Sequence, residues 1–510
     1  MGRSRKRFSR MMLTVASILL AVIFALPVSV SAVYTEKKAD IFCNEKLYLE
    51  NRQLCDRIAE GIDQMQDYIY VGDLKFDVKK LPYIIKTVIR MHPELFYINT
   101  KQLALGSDEQ GNIAVVCPFY LGEKSEIEAQ RQKFDKRVNE ILSLVDDGMS
   151  EFEKALVVHD EIALNCEYSN DEDNMKYITA YGALINEKAN CQGYSAAYSH
   201  IMSLLGIETE VVESSSLFHV WNKIQIDGLW YNADVTWDDP LYDKQGHVSH
   251  KYFLLSNDAI VGIDSGTNKD YGFDYESKKC TSTKYDKSEF HKIDTRFCFV
   301  GDDCYVIDNN YGSSCQKCLI KFDPVTGKYD IEKKFDVKWM SGATDTSYWK
   351  NTFLSLEIHD DLLYLNTANK VYTYDVVNKM LDEFVPEINI SAQNKAFYGL
   401  IIKGCDVFVA TADKPNEQQV LINIGQCVKR DIEVGVFRHI WTENRIKLYI
   451  LYGDVDLDKK IKIIDATEIQ KYSVDIVNFE DIQLISGDIN GDGLINVIDS
   501  TLIQKYLADM

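Results

Sequence analysis

The segment NCQGYSAAYSHIMSLLG, Asn190 to Gly206, places one thiol directly before a glycine-containing turn and an apolar run of helical spacing. Tyr194, Ala197, Tyr198, Ile201, Leu204 and Leu205 fall on one face, and Gly206 supplies a stop. The spacing predicts a helix with Cys191 at its N-terminal end. There the unpaired backbone N–H groups and the positive end of the macrodipole favour an anion, so a thiolate is stabilised. The position suits a nucleophile.

A cysteine nucleophile needs a base, and the base needs a group that orients it. Both can come from FHVWNKIQIDGLWYNADVTW. Asp227-Gly228 is a strong two-residue hairpin turn, because both residues tolerate positive φ. With Ile226 facing Leu229, the ladder sets Trp221 opposite Asp234 and His219 opposite Thr236. His219, Trp221 and Asp234 then share a face, with His219 the diagonal neighbour of Asp234 and within hydrogen-bond reach. Val220, Ile224, Ile226, Leu229, Tyr231 and Val235 form the opposite, core side. Taken alone, Cys191 reads as a buried core thiol, the usual fate of a cysteine. Taken with His219 and Asp234 in register, it reads as catalytic. His159 and His200 lie in helical stretches and read as packing or surface residues.

The elements that must hold these groups are a helix in EFEKALVVHDEIALNCEY, the helix after Cys191, and strands in IETEVVES, FHVWNKIQI and LWYNADVTW. In this order NCQGYSAAYSHIMSLLGIETEVVE and HVWNKIQIDGLWYNADVTWDDP resemble the core of the transglutaminase-like superfamily, over roughly Phe152 to Leu255. The resemblance implies a papain-like fold and acyl transfer through a thioester. Cys191 would attack an amide, His219 would take and return the proton, and Asp234 would orient the imidazole. Hydrolysis of a protein or peptide is the expected outcome, because water is the default acceptor and nothing in the sequence marks an amine site. The alternative is a catalytically idle adhesion or substrate-binding component of a plant polysaccharide-degrading complex.

A second chemistry stands in the tail. GDVDLDKKIKIIDATEIQKY and GDINGDGLINVIDSTLIQKY begin 34 residues apart. Asp488, Asn490, Asp492, Leu494 through its carbonyl, Asn496 and Asp499 occupy positions 1, 3, 5, 7, 9 and 12 of an EF-hand-like loop, with Gly493 at the sharp turn. Hard oxygen donors at that spacing suit Ca2+. In the first copy Asp454, Asp456, Asp458, Lys460 through its carbonyl and Asp465 fit the scheme. Lys459 there replaces the turn glycine and Lys462 an oxygen donor, so weaker binding is expected. The pair resembles a dockerin module, which implies docking to a cohesin on a cellulosomal scaffold. By that resemblance the contacts fall on Ile463 and Ile464 or Val497 and Ile498, with Gln470, Lys471 and Tyr472 or Gln504, Lys505 and Tyr506.

Around these sites, 510 residues suggest three or four domains, each able to bury a core. The reading is a multidomain α+β chain. A signal peptide (1–32) carries five basic residues, an apolar run and Val30-Ser31-Ala32. There follow a mainly helical region (33–151), a transglutaminase-like core (152–274), a β-rich region, propeller-like or a sandwich (275–452), and an all-α dockerin-like module (453–510). No later segment could span a bilayer. Removing the leader takes the net charge from −22 to about −27, which argues against nucleic acid and anionic membrane as partners. It suits a secreted, extracellular protein associated with a cellulosome or cell surface. With Cys191 a working thiol, the other eleven cysteines cannot all pair within the chain. Cys298, Cys304, Cys315 and Cys318 admit zinc or disulfides, but buried thiols or a single disulfide are favoured because a second tight pair is missing.

Overall fold

A computed structural model of the chain describes residues 38–509, except 146–147, 172–173, 240–243, 264–274, 309–315, 341–352, 389–395, 416, 429–436, 442–446, 475, 480 and 490–493. The expected leader lies outside the described residues. Among the described residues no helix is long and apolar enough to cross a membrane.

The centre is a five-stranded sheet. Ile41–Phe42 runs parallel to Thr209–Ser214, and His219–Ile226, Leu229–Ala233 and Phe253–Leu255 follow in antiparallel order. Asp227 and Gly228 have φ of 52° and 76°, the left-handed pair that a tight two-residue turn demands. The turn fixes the register: Ile226 pairs with Leu229, Ile224 with Tyr231 and Asn222 with Ala233. The helix Cys191–Leu204 packs on this sheet. Ser195 Oγ donates to Val220 O at 3.1 Å, and Asn222 Nδ2 donates to Ser195 O at 3.1 Å. Behind it lies the helix Glu151–Asn165, which Tyr198 reaches through Ala155 O.

Two features differ from the sequence expectation. The strand begun at Leu229 ends at Ala233, and Val235–Asp238 turns into a short helix with Asp234 as its N-cap. Trp221 therefore has no ladder partner in Asp234, nor His219 in Thr236. An Asp side chain that can accept from the backbone three residues on competes with continued pairing, and here the cap wins. The supposed core side is also not uniform, since Leu229 is exposed beside the turn, while Trp221 and Lys223 on the other face are buried.

The region before the core is not only helical. The helices Arg52–Asp63, Leu81–Met91 and Lys124–Ser143 accompany a three-stranded sheet of Ile69–Tyr70, Ile113–Tyr120 and Ile98–Ser107. Its long hairpin closes where Asp108 Oδ1 accepts from the backbone of Gln110 and Asn112 and Gly111 takes φ of 85°. Nor does this region bury a core of its own. One continuous cluster runs from Leu47 through Tyr194 and Tyr198 to Phe322, and Phe96 stacks on Tyr181 with centroids 4.6 Å apart.

Further along, Cys298–Asp336 and Leu356–Glu383 form successive four-stranded meanders, followed by three strands in Ala396–Gln426 and a pair in Phe437–Leu451. Apolar residues from neighbouring meanders share cores. Among the described residues these sheets are separate meanders, and none closes into a barrel. Cys298, Cys304 and Cys318 are buried free thiols, and Cys315 lies outside the described residues. The tail packs the helices Ile463–Tyr472 and Val497–Asp509 around Val455, Ala466, Ile469, Ile489 and Ile503.

Candidate active site and the carboxylate loops

Cys191 opens its helix. Asn190 caps it, its side chain accepting from Gln192 N at 3.0 Å, while Asn190 N donates to Tyr177 O at 2.9 Å. Gly193 lets the helix start approach that segment: a Cβ there would lie 2.7 Å from Tyr177 O and 2.9 Å from Thr179 O. The glycine that the sequence presents as part of a turn is thus needed for close packing in the first helical turn. The thiol is almost buried and packs against Ile41, Cys43, Val211 and Val220.

His219 begins the strand that faces this helix. Its Nε2 lies 2.6 Å from Asp234 Oδ2, and the ring stacks between Trp237 at 4.6 Å and Trp221 at 5.8 Å. Asp234 Oδ1 accepts from Trp237 N at 3.2 Å. The cap therefore aims the carboxylate: one oxygen is fixed by the helix start, leaving the other for the imidazole. Burial pulls the His219 pKa down. The Asp234 carboxylate and the hydrogen-bonding Cys191 thiol outweigh it and push it up to about 10. The imidazolium is thus the favoured form of His219, and its positive charge lies beside the Cys191 sulfur. The Cys191 thiol, the His219 imidazole and the Asp234 carboxylate thus converge in one low-dielectric spot.

A second buried cluster escaped the sequence reading. His159, placed there among packing or surface residues, is fully buried with Nδ1 3.0 Å from Asp160 Oδ1 and Nε2 3.2 Å from Asp238 Oδ2. Asp160 also meets His250 Nε2 at 2.8 Å and accepts from Phe297 N at 2.9 Å. Despite burial, these partners push His159 up to about 9 and hold Asp160 well below the usual carboxylate range. The arrangement has metal-ligand residue types. Every ring nitrogen is already engaged, however, since His250 Nδ1 meets Ile293 O at 2.8 Å, so the cluster is a self-satisfied ionic network. Only the adjacent His159-Asp160 pair hinted at it in the sequence. His200 is buried beside Glu94, its ring 5.2 Å from that of Phe134.

In the tail the two copies use the same hydrogen bonds 34 residues apart. Asp465 Oδ1 accepts from Val455 N at 2.8 Å and Oδ2 from Lys462 N at 2.7 Å. Asp499 Oδ1 accepts from Ile489 N at 2.9 Å and Oδ2 from Asn496 N at 2.9 Å. Asp454, Asp456 and Asp458 bring carboxylate oxygens within 4.8 Å of one another, the donor set a hard cation needs. Burial, then the nearby Asp465 and Asp456, push the Asp454 carboxyl up against the backbone N–H of Lys459. Lys459 has φ of 66°, and the Lys462 ammonium pairs with Asp458, so both departures from the loop pattern have structural effects. Asn496 Oδ1 accepts from Ile498 N at 2.8 Å and caps the last helix. Asn490 and Asp492 lie outside the described residues. Ile463, Ile464, Val497 and Ile498 are exposed on the helix starts, and Gln470, Gln504 and Lys505 are exposed further along.

Residues 140–235 match the family model of the transglutaminase-like superfamily, and residues 452–508 match that of the dockerin type I domain. The chain thus carries a transglutaminase-like core and a C-terminal dockerin. Kyphoscoliosis peptidase of Homo sapiens is 22% identical over 195 residues, which cover 33% of this chain and 30% of that protein. A solved TGase structure is similar at 14% identity and TM-score 0.19, covering 33% of this chain and 50% of that one. A candidate cysteine protease from Cytophaga hutchinsonii is similar at 15% identity and TM-score 0.18, covering 28% and 64%. The chain therefore spans less than two thirds of the length of each of these three proteins.

Proposed function

We propose that the chain is a secreted cysteine hydrolase or acyltransferase that acts on amide bonds, peptides above all, and is held on a scaffold cohesin by its tail. The observation that carries the reading is His219, whose Nε2 lies 2.6 Å from the Asp234 carboxylate and whose ring hydrogen-bonds with the Cys191 thiol. In this reading the Cys191 thiolate attacks the amide carbonyl and forms the C–S bond. His219 donates its proton to the leaving amine as the C–N bond breaks. It then takes a proton from water, whose oxygen bonds to the acyl carbon as the C–S bond breaks, so that the acid leaves and the Cys191 thiolate and charged His219 are restored. Asp234 keeps the ring oriented and stabilises its charged form. The carboxylate loops would hold Ca2+ through Asp454, Asp456, Asp458 and Asp488. The ion would supply structural neutralisation of those charges and fix the helices that carry Ile463, Ile464, Val497 and Ile498.

Digestion of a peptide library by the protein and by Cys191→Ala tests the reading. Cleavage by the first and none by the second, with rapid iodoacetamide labelling of Cys191 at neutral pH, is the expected result. Equal cleavage, or a Cys191 that labels no faster than buried Cys280, would sink it.

A further inference from the structure

Beside the start of the Cys191 helix lies a cavity of about 310 Å³, the size of a small-ligand pocket. Gln192 and Ala196 line it from that helix, and Val211 and Val220, which also pack against the thiol, line it from the sheet. The opposite wall is Ile85 and Ile89 of the helix Leu81–Met91, with Phe96 and Ile98 beyond. Most of the surface is apolar, yet the same helix brings Lys86 and Arg90 to it. Both cations share one carboxylate oxygen: Lys86 Nζ lies 2.5 Å and Arg90 Nη1 2.9 Å from Glu213 Oε2. Two positive charges against one negative leave the lip cationic. Arg90 Nη2 is buried with no oxygen or nitrogen acceptor, the Cys43 thiol being its neighbour. Apolar contact is available near the base as well. Phe218, next to His219, is 93% exposed and held at φ of 51°, a strained conformation for a bulky residue.

We propose that this cavity is the subsite for the acyl-donor side of the substrate, and that it takes an extended peptide with a large apolar side chain and a carboxylate next to it. The proposal rests on the cysteine-hydrolase reading for what happens to the peptide, but not for its binding. The apolar side chain fills the space between Ile85, Ile89 and Ala196, where its burial drives association. The carboxylate meets Lys86 and Arg90, relieving their competition for Glu213. The peptide's next amide then lies toward Gln192 and Cys191.

The test uses the full chain bearing Cys191→Ala, so that nothing is turned over, and two probes: N-acetyl-phenylalanyl-glutamyl amide and its glutaminyl isostere. By calorimetry the glutamyl probe binds about tenfold tighter, the worth of a charge-assisted hydrogen bond. Lys86→Gln narrows that gap and Lys86→Gln with Arg90→Gln removes it. Ala196→Leu, which fills the cavity without touching the charges, weakens both probes. Equal affinity of the two probes, a gap that survives loss of both cations, or no effect of Ala196→Leu overturns the proposal. Library cleavage by the chain with Cys191 intact is scored separately. Cleavage without the acidic-apolar preference defeats the subsite and leaves the hydrolase. Probe binding without cleavage defeats the hydrolase and leaves the subsite.

Discussion

Asp234 divides its two carboxylate oxygens between the backbone of Trp237, at 3.2 Å, and Nε2 of His219, at 2.6 Å. The side chain that caps the short helix is thus also the partner that holds the His219 ring. Asp234→Asn keeps the cap, because an amide oxygen also accepts from a backbone N–H. It removes the charge that holds the imidazolium. On the proposed hydrolase reading, peptide turnover should fall by about 100-fold or more, the usual worth of a well-placed acid–base group, with little change in Tm. Steady-state kinetics beside thermal unfolding checks this.

The charge on His219 also predicts a pH dependence. Its folded pKa of about 10 exceeds the unfolded value of about 6.5, so it stabilises the fold fully below pH 6.5. That contribution is lost as pH rises toward 10. The Tm difference between the protein and His219→Gln should be greatest near pH 6 and should shrink steadily up to pH 10. A difference that grows with pH would refute this.

Gly193 leaves no room for a methyl group between the helix start and the carbonyls of Tyr177 and Thr179. Gly193→Ala should cost about 1–3 kcal/mol through overpacking and displace the thiol. Urea unfolding should show the loss, and iodoacetamide labelling of Cys191 should slow.

Asp160 turns Oδ1 to the His159 and His250 rings and Oδ2 to Phe297 N, whereas an asparagine has a single acceptor oxygen for both sides and no charge. Asp160→Asn should therefore cost about 3–5 kcal/mol, as when one member of a buried pair is lost. Denaturant titration far from any activity assay measures it. A loss below 1 kcal/mol would mean that the network relaxes.

For the tail, calcium should be taken up more tightly by the loop at Asp488 than by that at Asp454. Lys459→Gly with Lys462→Asn relieves the left-handed strain and removes the ammonium from Asp458, so it should bring the first loop closer to the second. Calcium calorimetry on the full chain, beside Asp454→Ala and Asp488→Ala, decides. In chelator the tail should lose helical signal, and an unchanged spectrum would count against ion-dependent folding.

What the sequence determined was local. Helical spacing put Cys191 at a helix start, and Asp227-Gly228 set a two-residue turn whose register carries through to Asn222 and Ala233. The 34-residue repeat likewise gave two equivalent loops, because identical spacing yields identical hydrogen bonds around Asp465 and Asp499. Tertiary structure decided the rest. Whether the chain after Ala233 continued as a strand or capped a helix depended on competition between ladder and side-chain bonds, which period-two alternation does not report. The burial of His159 against His250, 91 positions away, and the cavity between Ile89 and Ala196 arise from elements distant in the chain. So does the single core that joins Leu47 to Phe322: an apolar face shows that it must be covered, but not by what.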